Sequence, residues 1–251
     1  MIRIIVPLIL FFVSASIGLA NDTIVRGLSS KSISINTTFT GSDIIIFGSI
    51  KRADNELIVP SNIIIEVLGP EIDIIVRKKK KMFGIWVNSD PNKISNSLSF
   101  YSLLYTEKPQ NILNASELTK ASLGKDKFFK SDNLSQSYID AVNATIRIKS
   151  KDGFYLFDNE PIILKDETLF SAKISLPANL TEGDYETKIH LIQNGKIIDS
   201  SSDIIQVRKI GLEEWLYKTA HDQSLLYGLF SIFLALFFGW SASTLFRRFQ
   251  K

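Results

Sequence analysis

Ser122-Leu123-Gly124-Lys125 has the S-x-x-K spacing of a serine acyl-transfer site, and Ser131-Asp132-Asn133 matches the S-D-N triplet of the same enzymes. In such a site the serine attacks a carbonyl and the other groups share its proton. The two stretches lie only a few residues apart here, so they cannot converge on one nucleophile from separate elements. A K-T-G partner is also missing. The pairs Glu182/Asp184, Glu213/Glu214 and Asp158/Glu160 have the groups for calcium binding or acid–base work, but none has EF-hand spacing. They read as solvated charges of turns and helices. There is no cysteine, which removes disulfides, thiolate metal sites and cysteine nucleophiles. The two histidines are His190 and His221, and His190 sits between Ile189 and Leu191 as a strand-surface residue. No glycine-rich phosphate loop is present. The chain is therefore expected to be no enzyme and to hold no cofactor and no metal.

One stretch has the chemistry of a binding surface. Arg77, Lys78, Lys79, Lys80 and Lys81 form an unbroken cation run, followed by Met82-Phe83-Gly84-Ile85-Trp86-Val87. Ile72, Ile74 and Val76 alternate before it; Phe83, Ile85 and Val87 alternate after it. This pattern predicts two strands with Lys78 to Lys80 at the hairpin tip and the flanking apolar residues buried. Two readings of the run follow. It is a solvated turn that also protects a sheet edge, or it touches anionic lipid headgroups or an acidic partner, with Trp86 beside it. Overall charge argues against nucleic acid as a partner: 29 Lys+Arg face 26 Asp+Glu, a net +3.

The elements around these residues are mainly strands. "KSISINTTFTGSDIIIFGSI", "NIIIEVLGP", "IDIIVRK" and "LSFYSLLY" are short β-branched or aromatic runs with turn signals between them. They predict an immunoglobulin-like β-sandwich over residues 21–110. Residues 111–150 are polar. Leu134, Tyr138, Ala141, Val142 and Thr145 recur at helical spacing, which predicts an inserted amphipathic helix from about Leu134 to Lys149 docked by one face. Ser131-Asp132-Asn133 would cap its start. A second β region covers 151–209, with Asn194-Gly195 as a two-residue hairpin turn. Tyr185 is either the corner tyrosine of a late sandwich strand or an ordinary half-buried tyrosine. Whether the two β regions close one sandwich or two stays open. Residues 210–224 predict a helix with Leu212, Trp215, Leu216 and Thr219 along one side.

Both chain ends read as membrane addresses. Arg3, the apolar run Ile4 to Val13 and small residues up to Ala20 have the pattern of a cleavable signal peptide over 1–20. Leu225 to Phe246 carries no charge and would form a helix of about 33 Å, matching a hydrocarbon core of about 30 Å. Arg247, Arg248 and Lys251 follow in a tail of 247–251, which by the positive-inside rule would be cytoplasmic. Tyr227 and Trp240 are candidate interface residues. Gly239 and Ser243 have small-xxx-small spacing, which lets membrane helices approach closely.

In this order "IIIFGSI", "RKKKKMFGIWVN", "FYSLLYTEKP", "LFSAKISLPANLTEGDYET", "VRKIGLEEWL" and "YGLFSIFLALFFGWSASTLFRRF" resemble the alphaproteobacterial transmembrane protein family Alph_Pro_TM, over nearly all of the mature chain. That resemblance implies a single-pass protein of the bacterial inner membrane, with a periplasmic domain and a cytoplasmic C-terminus. Members of the family are often encoded beside permeases resembling the sulfite-exporter (TauE/SafE) family. The resemblance thus implies membrane lipids and an integral-membrane, transporter-like protein as partners, and an accessory or interaction role. The alternative is a periplasmic anion-binding sensor using Arg77, Lys78 and Trp86.

Overall fold

The computed structural model describes residues 22–36, 38–53, 59–129, 135–157, 161–210 and 212–249. The expected signal peptide at 1–20, the Ser131-Asp132-Asn133 stretch and Lys251 lie outside them. The strands β1 (Thr23–Leu28), β2 (Ser32–Ile35), β3 (Ser42–Lys51), β4 (Asn62–Leu68), β5 (Glu71–Met82), β6 (Ile85–Leu98) and β7 (Tyr101–Tyr105) come first. The helices α1 (Pro109–Ile112), α2 (Ala115–Ala121) and α3 (Gln136–Lys151) follow, with a 3-10 turn at Gly124–Phe128 between the last two. Then come β8 (Tyr155–Leu156), β9 (Ile163–Lys165), β10 (Leu169–Leu176), β11 (Gly183–Gln193) and β12 (Lys196–Lys209), and the helices α4 (Leu212–Asp222) and α5 (Ser224–Phe249). The protein is mainly β.

Two sheets form the body. One has the order β1-β3-β10-β9; the other has β2-β12-β11-β4-β7-β8. Strands from residues 21–110 and 151–209 share both sheets, so the two β regions close one sandwich. The alternation in β3 explains how: Ile44 and Ile46 are buried, while Ile45 and Phe47 point to solvent. Ile44 and Ile46 meet Phe170 and Ile174 of their own sheet and Ile65 and Leu191 of the opposite sheet in a single core. In β4 the residues Ile63 to Val67 are all buried, because the outer face of that sheet is covered as well, and a strand covered on both faces reads as a continuous apolar run. The cover is a second core, in which Ile64, Leu103 and Ile192 of the sheet meet Leu113, Val142 and Ile146 of the helical segment.

The helix α3 starts two residues later than the spacing suggests. The hydroxyl of Ser135, not Ser131-Asp132-Asn133, accepts from the Tyr138 amide and caps it. Ala141, Val142, Thr145 and Ile146 form its buried face. Asn194-Gly195 makes the expected turn between β11 and β12, with both residues at positive φ (49° and 77°). Tyr185, at the start of β11, is buried, and its hydroxyl donates to the Thr181 carbonyl at 2.9 Å. Burial pushes the Tyr185 phenol up to about 12. Tyr185→Phe should cost about 1 kcal/mol of stability by removing that bond, read as a lowered midpoint in chemical unfolding.

The hairpin of β5 and β6 corrects the sequence expectation. The tip is Phe83-Gly84, with Met82 paired to Ile85, and not Lys78 to Lys80. Phe83 and Gly84 both have positive φ (49° and 86°), a primed two-residue turn that Gly84 accommodates without strain. The cations therefore lie along β5. The apolar residues after them are not buried: Phe83, Ile85 and Trp86 are all exposed. The hairpin prolongs the pairing of β4 with β7, since Gly69 N donates to Phe100 O and Ser99 N donates to Pro70 O between the two ladders.

Candidate functional site

Two features could carry function: the projecting hairpin with the membrane helix, and a buried charge cluster under the helical segment.

The hairpin leaves the sandwich at a definite end. β4 is antiparallel to β11, and β11 is antiparallel to β12. So β4 and β12 run the same way. Leu68 at the end of β4 lies opposite Glu186, and Glu186 lies opposite Ile204 near the end of β12. The hairpin that follows β4 and the helices that follow β12 thus emerge from the same end. Arg77, Lys78, Lys79, Lys80 and Lys81 are all exposed, and none pairs with a carboxylate among the described residues. Because side chains alternate along a strand, the run puts cations on both faces of the ribbon. Trp86 sits directly across from Lys81. One face of the ribbon overlies α3, leaving an open cleft of about 830 Å³ lined by Arg77, Lys78, Lys80, Asn92, Asp140 and Arg147.

β12 ends at Lys209, α4 begins at Leu212, and α5 follows one residue after α4. Gln223 N donates to Thr219 O and Tyr227 N to Gln223 O, so helical bonding passes through the junction. Ser224–Phe246 is 23 residues with mean hydropathy 1.9, and none of its apolar window is covered by the rest of the protein. Tyr227 lies near the start of this span and Trp240 near its end; Trp240, Gly239 and Ser243 all face outward from the helix. An added Cβ at Gly239 would meet nothing within 4 Å. Arg247 and Arg248 occupy the last turn of α5, and their side chains lie outside the described residues. The same holds for Leu212 and Trp215 in α4, whereas Leu216 is exposed.

The second feature was not singled out from the sequence. Glu66, on the outer face of β4, is 1% exposed. Its carboxylate accepts from the Tyr101 hydroxyl at 2.6 Å and pairs with Lys127 Nζ at 2.8 Å. His190 Nε2 lies 3.6 Å away, and His190 Nδ1 bonds Ser200 Oγ at 2.8 Å. The Gly124 amide donates to the Tyr101 hydroxyl at 2.8 Å. Burial raises the Glu66 carboxyl, but the nearby His190, the Lys127 charge and the bonds from Lys127 and Tyr101 outweigh it and hold the group below its usual range. Phe128, buried and edge-on to the Tyr101 ring at 5.6 Å, helps to wall the cluster from water. A lone Glu in the run Ile63-Ile64-Ile65-Glu66-Val67-Leu68 was the available signal, since a charge on a strand buried on both faces needs a partner. The Glu66–Lys127 pair and the Gly124 bond to Tyr101 fasten the helical segment to the sheet.

The other residues with chemical potential are dispersed. Ser122 is the left-handed cap of α2, with its hydroxyl bonded to Thr119 O at 3.1 Å. Lys125 Nζ lies 5.6 Å from the Phe157 ring centre. Asp184 pairs with Arg208 at 2.6 Å. Asp158 and Glu160, and the side chains of Glu213 and Glu214, lie outside the described residues. His221 stacks on Tyr217 at 4.1 Å.

No curated protein matches the chain. The model of the family described as "Putative transmembrane protein (Alph_Pro_TM)" matches residues 23–248, from the first strand of the sandwich to the last turn of the apolar helix. The chain belongs to that family and is a membrane protein, with α5 as the candidate membrane helix among its described residues.

Proposed function

We propose that this protein is a single-pass accessory of the bacterial inner membrane. Its β body stands on the periplasmic side and works by contact rather than by catalysis. The observation that carries this reading is the common exit of hairpin and anchor: a cation-rich ribbon overhangs the end of the sandwich from which the membrane helix departs. A surface so placed meets whatever lies at or in the bilayer. Arg247, Arg248 and Lys251 favour a cytoplasmic C-terminus. We read the sandwich as immunoglobulin-like. Its order β1-β3-β10-β9 against β12-β11-β4-β7 parallels the A-B-E-D and G-F-C-C′ sheets of such domains, and the Tyr185 bond to Thr181 parallels their corner tyrosine.

The partner we favour is a multi-span, permease-type protein, approached through the Gly239/Ser243 face of α5, where a bare backbone permits close helix packing. Crosslinking in intact cells followed by purification in mild detergent tests this. A multi-span protein should accompany the full chain and be lost with Gly239→Leu/Ser243→Leu. Recovery of the native-level protein as a lone monomer would contradict the reading.

One observation favours a second reading, an anion sensor. The cleft between the ribbon and α3 gathers Arg77, Lys78, Lys80 and Arg147, with Asp140 as the one carboxylate lining it among the described residues. Calorimetric titration of the full chain in detergent with sulfate, sulfite and phosphate should then give saturable heats that Arg147→Glu abolishes. Flat heats for all three anions would remove this reading.

A further inference from the structure

We infer that the tip of the β5–β6 hairpin seats in the interface of the same bilayer that holds α5, as a second, lipid-binding contact selective for anionic headgroups. This deepens the accessory reading and rests on it.

The tip is apolar and has no cover. Met82, Phe83, Ile85 and Trp86 are exposed by 52%, 101%, 65% and 68%, and nothing lies within 4 Å of an added Cβ at Gly84. A soluble protein gains nothing by holding four large apolar side chains in water at the end of a long ribbon. Behind the tip the chemistry changes abruptly. Lys81, Lys80, Lys79, Lys78 and Arg77 follow in order, exposed and without a carboxylate partner among the described residues. Lys81 is two residues behind Phe83 and Arg77 is six behind, so the cations begin roughly 7 Å from the tip and reach roughly 20 Å. An apolar end followed by cations at that depth matches the layer order of a membrane surface: acyl boundary first, then phosphates. Trp86, paired across from Lys81, falls at the level where indole rings settle in interfaces. A soluble acidic protein would be served by the cations but would not need the apolar tip ahead of them.

The reach is sufficient. Pro70, just before the hairpin, packs against Gly183, whose partner on β12 is Val207. From that level β5, with 12 residues, extends up to about 40 Å. The link from Val207 to Leu212 adds at most roughly 16 Å, and the 11 residues of α4 add about 16 Å before the membrane helix begins. The hairpin is thus long enough for its tip to meet the plane where α5 enters the membrane.

The chain has no cysteine, so a single introduced thiol can be labelled cleanly. The full chain carrying Phe83→Cys with an environment-sensitive fluorophore would be reconstituted into vesicles of phosphatidylcholine, with or without phosphatidylglycerol, containing a lipid-borne quencher. Ile85→Cys gives a second tip position. Lys196→Cys, in the β11–β12 turn at the other end of the sandwich, is the control. The tip labels should be quenched in the anionic vesicles while the label at 196 is not. Replacing Lys78, Lys79, Lys80 and Lys81 with serine should lower tip quenching by about half or more. Tip labels as unquenched as that at 196 would overturn the inference, and equal quenching with and without the lysines would overturn its anionic selectivity. If the tip stays in water while a multi-span partner still co-purifies, the lipid contact falls and the accessory reading stands.

Discussion

Glu66→Ala is expected to destabilise the β body by about 3–5 kcal/mol, because it leaves Lys127 in a mostly buried position without its counter-charge and strips the Tyr101 hydroxyl of its acceptor. For a domain of this size that corresponds to a fall in Tm of about 10 °C or more. Loss of β-sheet circular dichroism on heating the full chain in detergent measures it. The double replacement Glu66→Leu/Lys127→Met should lose less than the sum of its parts, since it removes both charges together. The effect has a defined pH signature. The folded-state carboxyl lies below its ordinary value, with burial opposing and the nearby His190, the Lys127 charge and the bonds from Lys127 and Tyr101 prevailing. Its stabilisation is thus complete above the unfolded-state value of about 4.5 and is lost as pH falls through the folded-state value. The gap between wild type and Glu66→Ala should therefore be full near pH 7 and should close progressively as pH falls below that unfolded-state value. A gap that stayed constant with pH would contradict the charged role of Glu66.

Placing two charges in the middle of α5 should have the second large effect. Ala235→Arg/Leu236→Arg puts two guanidinium groups at the centre of Ser224–Phe246, where Leu236 is 70% exposed and would face lipid. Each arginine there costs about 2.5–3.5 kcal/mol on an insertion scale, so the pair shifts insertion by at least a thousandfold. The variant should move from the carbonate-resistant membrane fraction to the released fraction. Ala235→Leu, which keeps the apolar surface, should stay in the membrane. The β body should be unaffected, because the helix span contributes nothing to either core.

Much of the architecture was legible because it is written in local periodicity. The alternation in β3, the helical spacing of Tyr138, Ala141, Val142 and Thr145, the Asn194-Gly195 turn and the uncharged run in α5 each state their element without long-range help. What escaped depends on partners distant in sequence. That β3 pairs with β10 and β4 with β11 decides between one sandwich and two, and no local pattern states those pairings. Glu66 and Lys127 are 61 residues apart and meet only once the 3-10 turn folds over the sheet. The hairpin tip was misplaced for a different reason. A lysine run looks like a turn, and Phe83, Ile85 and Val87 look like core, yet hydrophobicity states a cost in water and not whether the fold removes it. A phenylalanine at positive φ is an unusual choice for a turn, so Phe83-Gly84 gave little warning.

In the proposed placement, the β body and its hairpin lie outside the cytoplasmic membrane on an anchor whose C-terminus lies within. Labelling in intact spheroplasts with a membrane-impermeant thiol reagent tests it most directly, comparing Lys196→Cys with Lys251→Cys in the cysteine-free full chain. Position 196 should label at once, and position 251 only after the membrane is broken. Immediate labelling at 251, or protection of 196 until lysis, would contradict the placement on which the proposed role depends.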